Sequence, residues 1–177
     1  GSTARSARSI EEFYESFGAR IASLAHTHDL LTEEFWQMAS LRELLTKERA
    51  HYEDPGSDRV RLNGPPVQLY SDIAVPIGMA LHELTTNAAK YGALSVPDGR
   101  LDVSWELSAK NGRNVVAFDW RERDGPVVQD PKQRGFGTRL LHRVLTAQGK
   151  AEVELEFEPR GLHFRMEFPL LPSRPAF

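Results

Sequence analysis

In the stretch "LHELTTNAAKYGALS", Leu81 to Ser95, an acid, an amide and an amine stand among leucines and alanines at helical intervals. On a helix over 77–91, Ile77, Leu81, Leu84 and Ala88 form the apolar line, and Glu83, Asn87 and Lys90 follow one another at i, i+4 and i+7 on a different stripe. Tyr91 stands at the border between the two. An Asn oxygen is a hard, neutral ligand suited to a Mg²⁺ already balanced by phosphates, and a nearby Lys can neutralise phosphate oxygens. The bland alternative is a solvated helix face, because Glu, Asn and Lys are ordinary surface residues. A second candidate is "WRERDGPVV", Trp120 to Val128, where strand alternation puts Glu122 on the face of Phe118 and Trp120. A carboxylate behind two buried aromatics is costly unless it accepts hydrogen bonds from a specific donor, such as an exocyclic amine. The alternative is a strand-end Glu that reaches water. The third is "RGFGTRLL", Arg134 to Leu141, a glycine loop opening a helix that Thr138 can cap, and so an anion site. It lacks the Gly-x-x-x-x-Gly-Lys of a Walker loop.

These residues need elements to hold them. Apolar residues at Ile10, Phe13, Phe17, Ile21, Leu24 and Leu31 predict an amphipathic bundle helix that includes His28, with a partner helix or its own copy across the seam. "ASLRELLTKERAHY" predicts a second, shorter helix, and turn chemistry in "EDPGSD" and "NGPP" brackets a short strand, Arg59 to Leu62. Ser71 and Asp72 are candidate caps for the helix of the quoted stretch, Pro76 should kink or delay its start, and Gly92 should close it. Leu101, Val103, Trp105 and Leu107, then Val116, Phe118 and Trp120, alternate with polar residues on either side of "KNGR", which predicts a hairpin. A second hairpin ends the chain. In it Val153, Leu155 and Phe157 oppose Glu152, Glu154, Glu156 and Glu158, so one face of the sheet must be wet. A mostly antiparallel sheet with helices on its other face is a two-layer α/β sandwich.

At 177 residues, with 40% hydrophobic and 27% charged residues, the chain can bury one core and an appended element. A net charge of −3 gives no basic field for nucleic acid or a membrane surface, so neither is expected as a partner. The absence of cysteine removes a disulfide framework and a thiolate nucleophile, and a cytoplasmic location is expected. No apolar run is long enough to span a membrane, and Gly1-Ser2 reads as a cloning remnant, so further chain upstream is expected.

The order of the parts is more specific than any one of them. An Asn-bearing helix, an acidic strand end with a glycine turn, and a glycine loop into a helix, on an α/β sandwich, resemble the Bergerat ATP-binding fold. Within it, "LHELTTNAAKYGALS" looks like the N box, "WRERDGP" the G1 box and "GFGT" the G2 box of the HWE-type sensor histidine kinases, with His82 and Trp120-x-Glu122 as the name-giving residues. No F box stands between G1 and G2, as in that family.

The resemblance implies ATP and Mg²⁺ as cofactors, with Glu83, Asn87 and Lys90 catalytic. Asn87 would bind the metal, Lys90 the phosphates, Tyr91 would pack on the base, and Glu83 would support the metal. Glu122 would accept the adenine amine, Gly125 would shape the base pocket, and Gly135, Gly137 and Thr138 would line the phosphate side. Asp124 stands where the first Gly of a Gly-Gly-Pro is expected and competes with Glu122 for the amine, Glu122 being favoured by strand register. His82 lies far around the helix from Asn87, which predicts packing.

Residues 3–34 would be the second helix of a dimerisation hairpin and 35–171 the catalytic ATP-binding domain. The acceptor His would lie upstream, on a helix of the same or a partner chain, since His26 and His28 fit a packed seam better. A response regulator and a homodimer through the N-terminal helix are the implied partners in a bacterial two-component system. Two rivals remain: a nucleotide-binding pseudokinase or scaffold, and another ATP user of this fold, either a protein-serine kinase of an anti-sigma pathway or an ATP hydrolase.

Overall fold

The computed structural model describes residues 38–53, 56–127, 142–143, 145–146 and 151–170. The predicted N-terminal helix over 3–34, with His26 and His28, and the Gly135-Gly137-Thr138 loop lie outside the described residues.

Residues 142–143 and 145–146 are helical, and among the described residues seven strands and two helices of defined bounds follow one another. These are β1 (Met38–Ser40), α1 (Leu41–Ala50), β2 (Val60–Asn63), β3 (Gln68–Tyr70), α2 (Ser71–Lys90), β4 (Arg100–Lys110), β5 (Arg113–Arg123), β6 (Glu152–Glu158) and β7 (Gly161–Pro169). A single 3-10 turn, Ala93–Ser95, lies between α2 and β4. Five strands form one sheet in the order β2-β4-β5-β7-β6, parallel only at β2–β4. The two-residue turn of the β4–β5 hairpin has positive φ at Asn111 (53°) and Gly112 (76°), the conformation that matches strand twist and that Asn-Gly favours. Register then sets Trp105 opposite Phe118 and Val103 opposite Trp120, while β7 brings Met166 and Phe164 to the other side of Phe118 and Trp120. These side chains are buried on one face, and Leu41, Leu44 and Leu45 of α1 with Ile73, Ile77, Leu81, Leu84 and Ala88 of α2 complete the same core. The two-layer sandwich and the apolar line of α2 are as expected. Leu107 departs from the alternation rule: it is exposed, in the last part of β4 where every residue from Glu106 to Lys110 is exposed.

The small sheet formed by β1 and β3 is not legible in the sequence, since each strand has three residues and no alternation to show. Their antiparallel pairing sets the start of α1 beside Val67, whose carbonyl accepts the Leu41 N–H at 3.0 Å. Ser40 caps α1, its hydroxyl accepting from the Glu43 N–H at 3.3 Å. The expected caps of α2 are corrected: the helix begins at Ser71 itself, with Tyr70 at the cap position and Asp72 in the first turn, where its charge suits the helix dipole. Pro76 neither delays nor splits it. The carbonyl deprived of a partner by the proline belongs to Asp72, an exposed residue that water can serve.

Two contacts fix α1. The Arg42 guanidinium lies 5.1 Å from the centre of the Trp105 ring and donates to the Gly64 carbonyl at 2.9 Å, while the Trp105 indole N–H donates to the Pro65 carbonyl at 2.7 Å. At the other end, His82 Nδ1 lies 3.2 and 3.3 Å from the two Glu48 carboxylate oxygens. The expected packing role of His82 is thus a polar clasp between helices. The hydrogen bond from Glu48 raises the imidazole above the usual histidine range against the opposing effect of burial, and the charges of Glu48 and Glu83 add to the rise.

Because the folded value is raised, the clasp contributes fully below the unfolded value of about 6.5 and is lost as pH climbs through the folded one. Thermal melts should therefore show wild type ahead of Glu48→Gln near pH 6 by about 1 kcal/mol, with the gap closing in alkaline buffer. A gap that does not change with pH would refute the clasp. Gly64→Ala would drive a Cβ to 2.3 Å from the Trp105 ring, and urea denaturation should show a loss of about 1–3 kcal/mol.

Candidate functional site

The C-terminal end of α2 and the end of β5 meet at one carboxylate. Glu122 is only 4% exposed, on the face of Phe118 and Trp120 as alternation requires. Its Oε1 accepts the backbone N–H of Ala93 at 2.9 Å, and its Oε2 accepts the Trp120 indole N–H at 3.1 Å. A buried carboxylate is tolerable only with such donors, and bonds to the ionised form are the stronger kind. The sequence asked for a specific donor, and the structure supplies two from within the chain.

Glycines let the backbones close around it. A Cβ on Gly92 would stand 2.0 Å from Glu122 Oε1, one on Gly125 would meet Ala93 Cα at 2.8 Å, and one on Gly161 would meet the Glu122 carbonyl oxygen at 2.3 Å. This corrects the expectation for Gly92. Its φ is −106°, not left-handed, and its N–H bonds back to the Asn87 and Ala88 carbonyls, so glycine is needed there for close approach to Glu122. Gly125 likewise has a packing task, against Gly92 and Ala93. Arg59 closes the same corner from β2's side, donating to the carbonyls of Val96 at 2.5 Å, Gly99 at 3.2 Å and Ala93 at 3.3 Å. Neither Arg59 nor Ala93 was visible as a site residue. The only signal was Gly92, placed directly after the helix that carries Asn87.

Asp124 is exposed, with φ +58°. A left-handed position is one glycine fills without strain and Asp tolerates, which accounts for an Asp where Gly-Gly-Pro was expected. On α2, Glu83 and Asn87 are half-buried and Lys90 is exposed. Among the described residues no hydrogen bond or ion pair engages the side chains of Asn87 and Lys90, and Glu83 acts only through its charge on His82. Tyr91 is 71% exposed, a large ring left uncovered at the helix end. The structure therefore brings Lys90, Tyr91, Glu122, Asp124 and Gly125 to one corner, with Asn87 and Glu83 one and two turns back along α2. Gly135, Gly137 and Thr138 lie outside the described residues. Glu83 and Asn87 present uncommitted oxygen donors of the hard type that Mg²⁺ takes, so this stripe fits that ion.

Gly92→Ala and Glu122→Gln should each disrupt the corner. The first forces a methyl into the carboxylate, and the second turns one acceptor into a donor facing a donor. Each should lower stability by about 1–3 kcal/mol, read by denaturation without any ligand. Asp124→Gly should leave the midpoint within about 0.5 kcal/mol of wild type, as a strain-free residue at that φ.

Comparison with known proteins agrees with this fold. The family model described as HWE histidine kinase matches residues 1–66. A blue-light-activated histidine kinase of Brucella ovis is 33% identical over 171 residues, covering 97% of this chain and 35% of the relative. One from Brucella anthropi is 34% identical over 160 residues, covering 90% and 33%. The chain thus spans about a third of the length of these relatives. Among solved structures, the histidine kinase domain from the Erythrobacter litoralis EL346 blue-light activated histidine kinase superposes with a TM-score of 0.60 at 18% identity, over 88% of this chain and 75% of that one. The catalytic domain of histidine kinase ThkA gives 0.53 at 15%, over 77% and 97%. At these identities the likeness of structures is one of fold. Over residues 1–66 the chain matches the HWE histidine kinases, and its corner at Glu122 is built on the fold of histidine kinase catalytic domains.

Proposed function

We propose that this chain binds Mg-ATP at the corner between α2 and β5 and serves as the catalytic part of a sensor histidine kinase, transferring the γ-phosphoryl to a histidine outside the described residues. The observation that carries the reading is the stripe of Glu83, Asn87 and Lys90, with no partners among the described residues for the amide and the amine, leading to a buried acceptor at Glu122. Asn87 would hold the metal with Glu83 behind it, and Lys90 would reach the phosphates. Bound Mg²⁺ supplies charge neutralisation between phosphate oxygens. The protein's share is positioning: α2 sets amide and amine one turn apart, and the Glu122 bond to Ala93 fixes that helix end against the base turn.

A carboxylate offers about four acceptor positions, so the donors from Ala93 and Trp120 orient Glu122 without exhausting it. It takes the adenine amine in this reading, with Tyr91 against the base. Gly135, Gly137 and Thr138 would close the phosphate side. The relatives' names support a signalling kinase, and one solved neighbour, histidine kinase ThkA, is in complex with a response regulator protein, TrrA. A response regulator is accordingly the proposed downstream partner, and a second copy joined through the N-terminal helix the proposed assembly. No described helix is long and apolar enough to cross a membrane; the proposed setting is the cytoplasm.

Calorimetry tests the site. Asn87→Ala should weaken Mg²⁺-dependent ATP binding at least about tenfold, the scale on which changes around a metal act. Comparing ATP with its 6-oxo analogue ITP isolates the amine contact from the corner's stability. Glu122→Gln should erase the preference for ATP, while Asp124→Gly should keep it; the opposite pattern assigns the amine to Asp124. With labelled ATP, the chain should phosphorylate an added acceptor-histidine helix and carry no acid-labile label of its own. Label on the chain that vanishes in His28→Ala would make His28 the acceptor, and no transfer at all would favour the pseudokinase.

A further inference from the structure

The open face of the sheet, opposite the helices, holds a histidine that the nucleotide reading does not use. His163 of β7 is 4% exposed although it points away from the core, between Glu156 of β6 and Arg121 of β5 by register. Its Nε2 lies 2.6 Å from Asp119 Oδ1. A carboxylate brings no hydrogen to that contact, so the proton is on Nε2, and the Arg121 guanidinium 3.3 Å from the same nitrogen does not alter the assignment. With Nε2 engaged by Asp119, Nδ1 is the nitrogen that faces Glu158.

Nδ1, the nitrogen turned toward Glu158 whichever protonation state the ring holds, stands 3.5 Å from Glu158 Oε1. That is long for a charge-assisted hydrogen bond, which settles at about 2.7–2.9 Å. It is close to the roughly 3.4 Å between two ligands of a tetrahedral ion with bonds of about 2.0–2.1 Å. One ligand atom each from Glu156, Glu158 and His163 lies within 4.8 Å of the others. Charge points the same way. Around His163 stand four carboxylates, Asp119, Glu154, Glu156 and Glu158, and two guanidiniums, of which Arg165 bonds Glu154 at 2.9 Å and Glu156 at 3.1 Å. Two negative charges remain uncompensated, the charge of one divalent cation.

We propose that His163 Nδ1, Glu158 and Glu156 form a site for a divalent ion of the zinc class, with Asp119 as the carboxylate that orients the imidazole. Nitrogen with carboxylate oxygen suits such an ion, and three protein ligands leave a fourth position for water. Asp119 on the far nitrogen is the usual outer partner of a metal-bound histidine. The ion would clip the end of β6 to the start of β7, next to Gly161, whose backbone packs on the Glu122 carbonyl. The site would therefore stiffen the back of the corner without touching nucleotide.

The test uses the 177-residue chain, free of nucleotide and Mg²⁺, titrated with Zn²⁺ by calorimetry and with Co²⁺ for its visible spectrum. One ion should bind and give the absorption of tetrahedral cobalt. Glu158→Gln, a near-isosteric change at a half-buried strand end, and His163→Gln should each weaken binding at least tenfold, and Asp119→Asn about tenfold, as outer partners of metal-bound histidines do. His51→Ala and His142→Ala should leave it unchanged. Absence of binding, or binding untouched by both Glu158→Gln and His163→Gln, would overturn the proposal, the second placing the ion on other histidines.

Discussion

A buried negative charge organises this fold. Glu122 sits at the end of the strand that carries Phe118 and Trp120, and donors from Ala93 and Trp120 make it tolerable there. Both donors come with conditions. Ala93 reaches it only if α2 stops at Lys90 and the chain bends without a side chain at Gly92. Trp120 reaches it only if its own ring is held between Val103 and Phe164 on the neighbouring strands. Helix length, the glycine at position 92 and strand register thus satisfy one carboxylate together, and the helix that bears Asn87 takes its position from the result.

The sheet does more than shelter a core. Its helix-covered face is apolar apart from Glu122, so a one-residue slip would expose Phe118, Trp120, Phe164 and Met166 at once. Its open face has no such penalty and carries charged residues in cross-strand pairs, Lys110 with Glu167 and Arg165 with Glu154 and Glu156. Exposed pairs of this kind contribute little stability. They leave that face available for other chemistry, which a face filled with packed rings would not.

Periodicity made the larger elements legible. The four-three-four spacing of Ile77, Leu81, Leu84 and Ala88 and the alternation through Phe118, Trp120 and Glu122 each report burial directly, and all seven are buried. What the sequence hides is contact between distant backbones. Gly92 reads as a helix terminator because most glycines after helices are, yet the reason for it is an oxygen thirty residues on, set by folding. Likewise β1 and β3 are too short to show alternation, and the His82–Glu48 clasp joins helices whose packing no local pattern states. The site residues on α2 were legible as a stripe, since helical geometry is local. The division of labour between Glu122 and Asp124 was not, because φ at 124 and the donors at 93 and 120 belong to the tertiary structure.

The glutamates of β6 have one more effect, on how the molecule meets its own copies. Among the described residues β6 is one edge of the sheet, with a row of backbone groups unpaired on its outer side. Such an edge is a template for a strand from another molecule, the first step toward fibrous association. Four glutamates at every second position, Glu152 to Glu158, mean that a second β6 laid alongside would bring like charges into register. The opposite edge, β2, has only four residues and runs into Gly64-Pro65-Pro66, where two successive residues have no N–H to offer. Charge guards one border and proline the other, so the sheet resists growth at both ends.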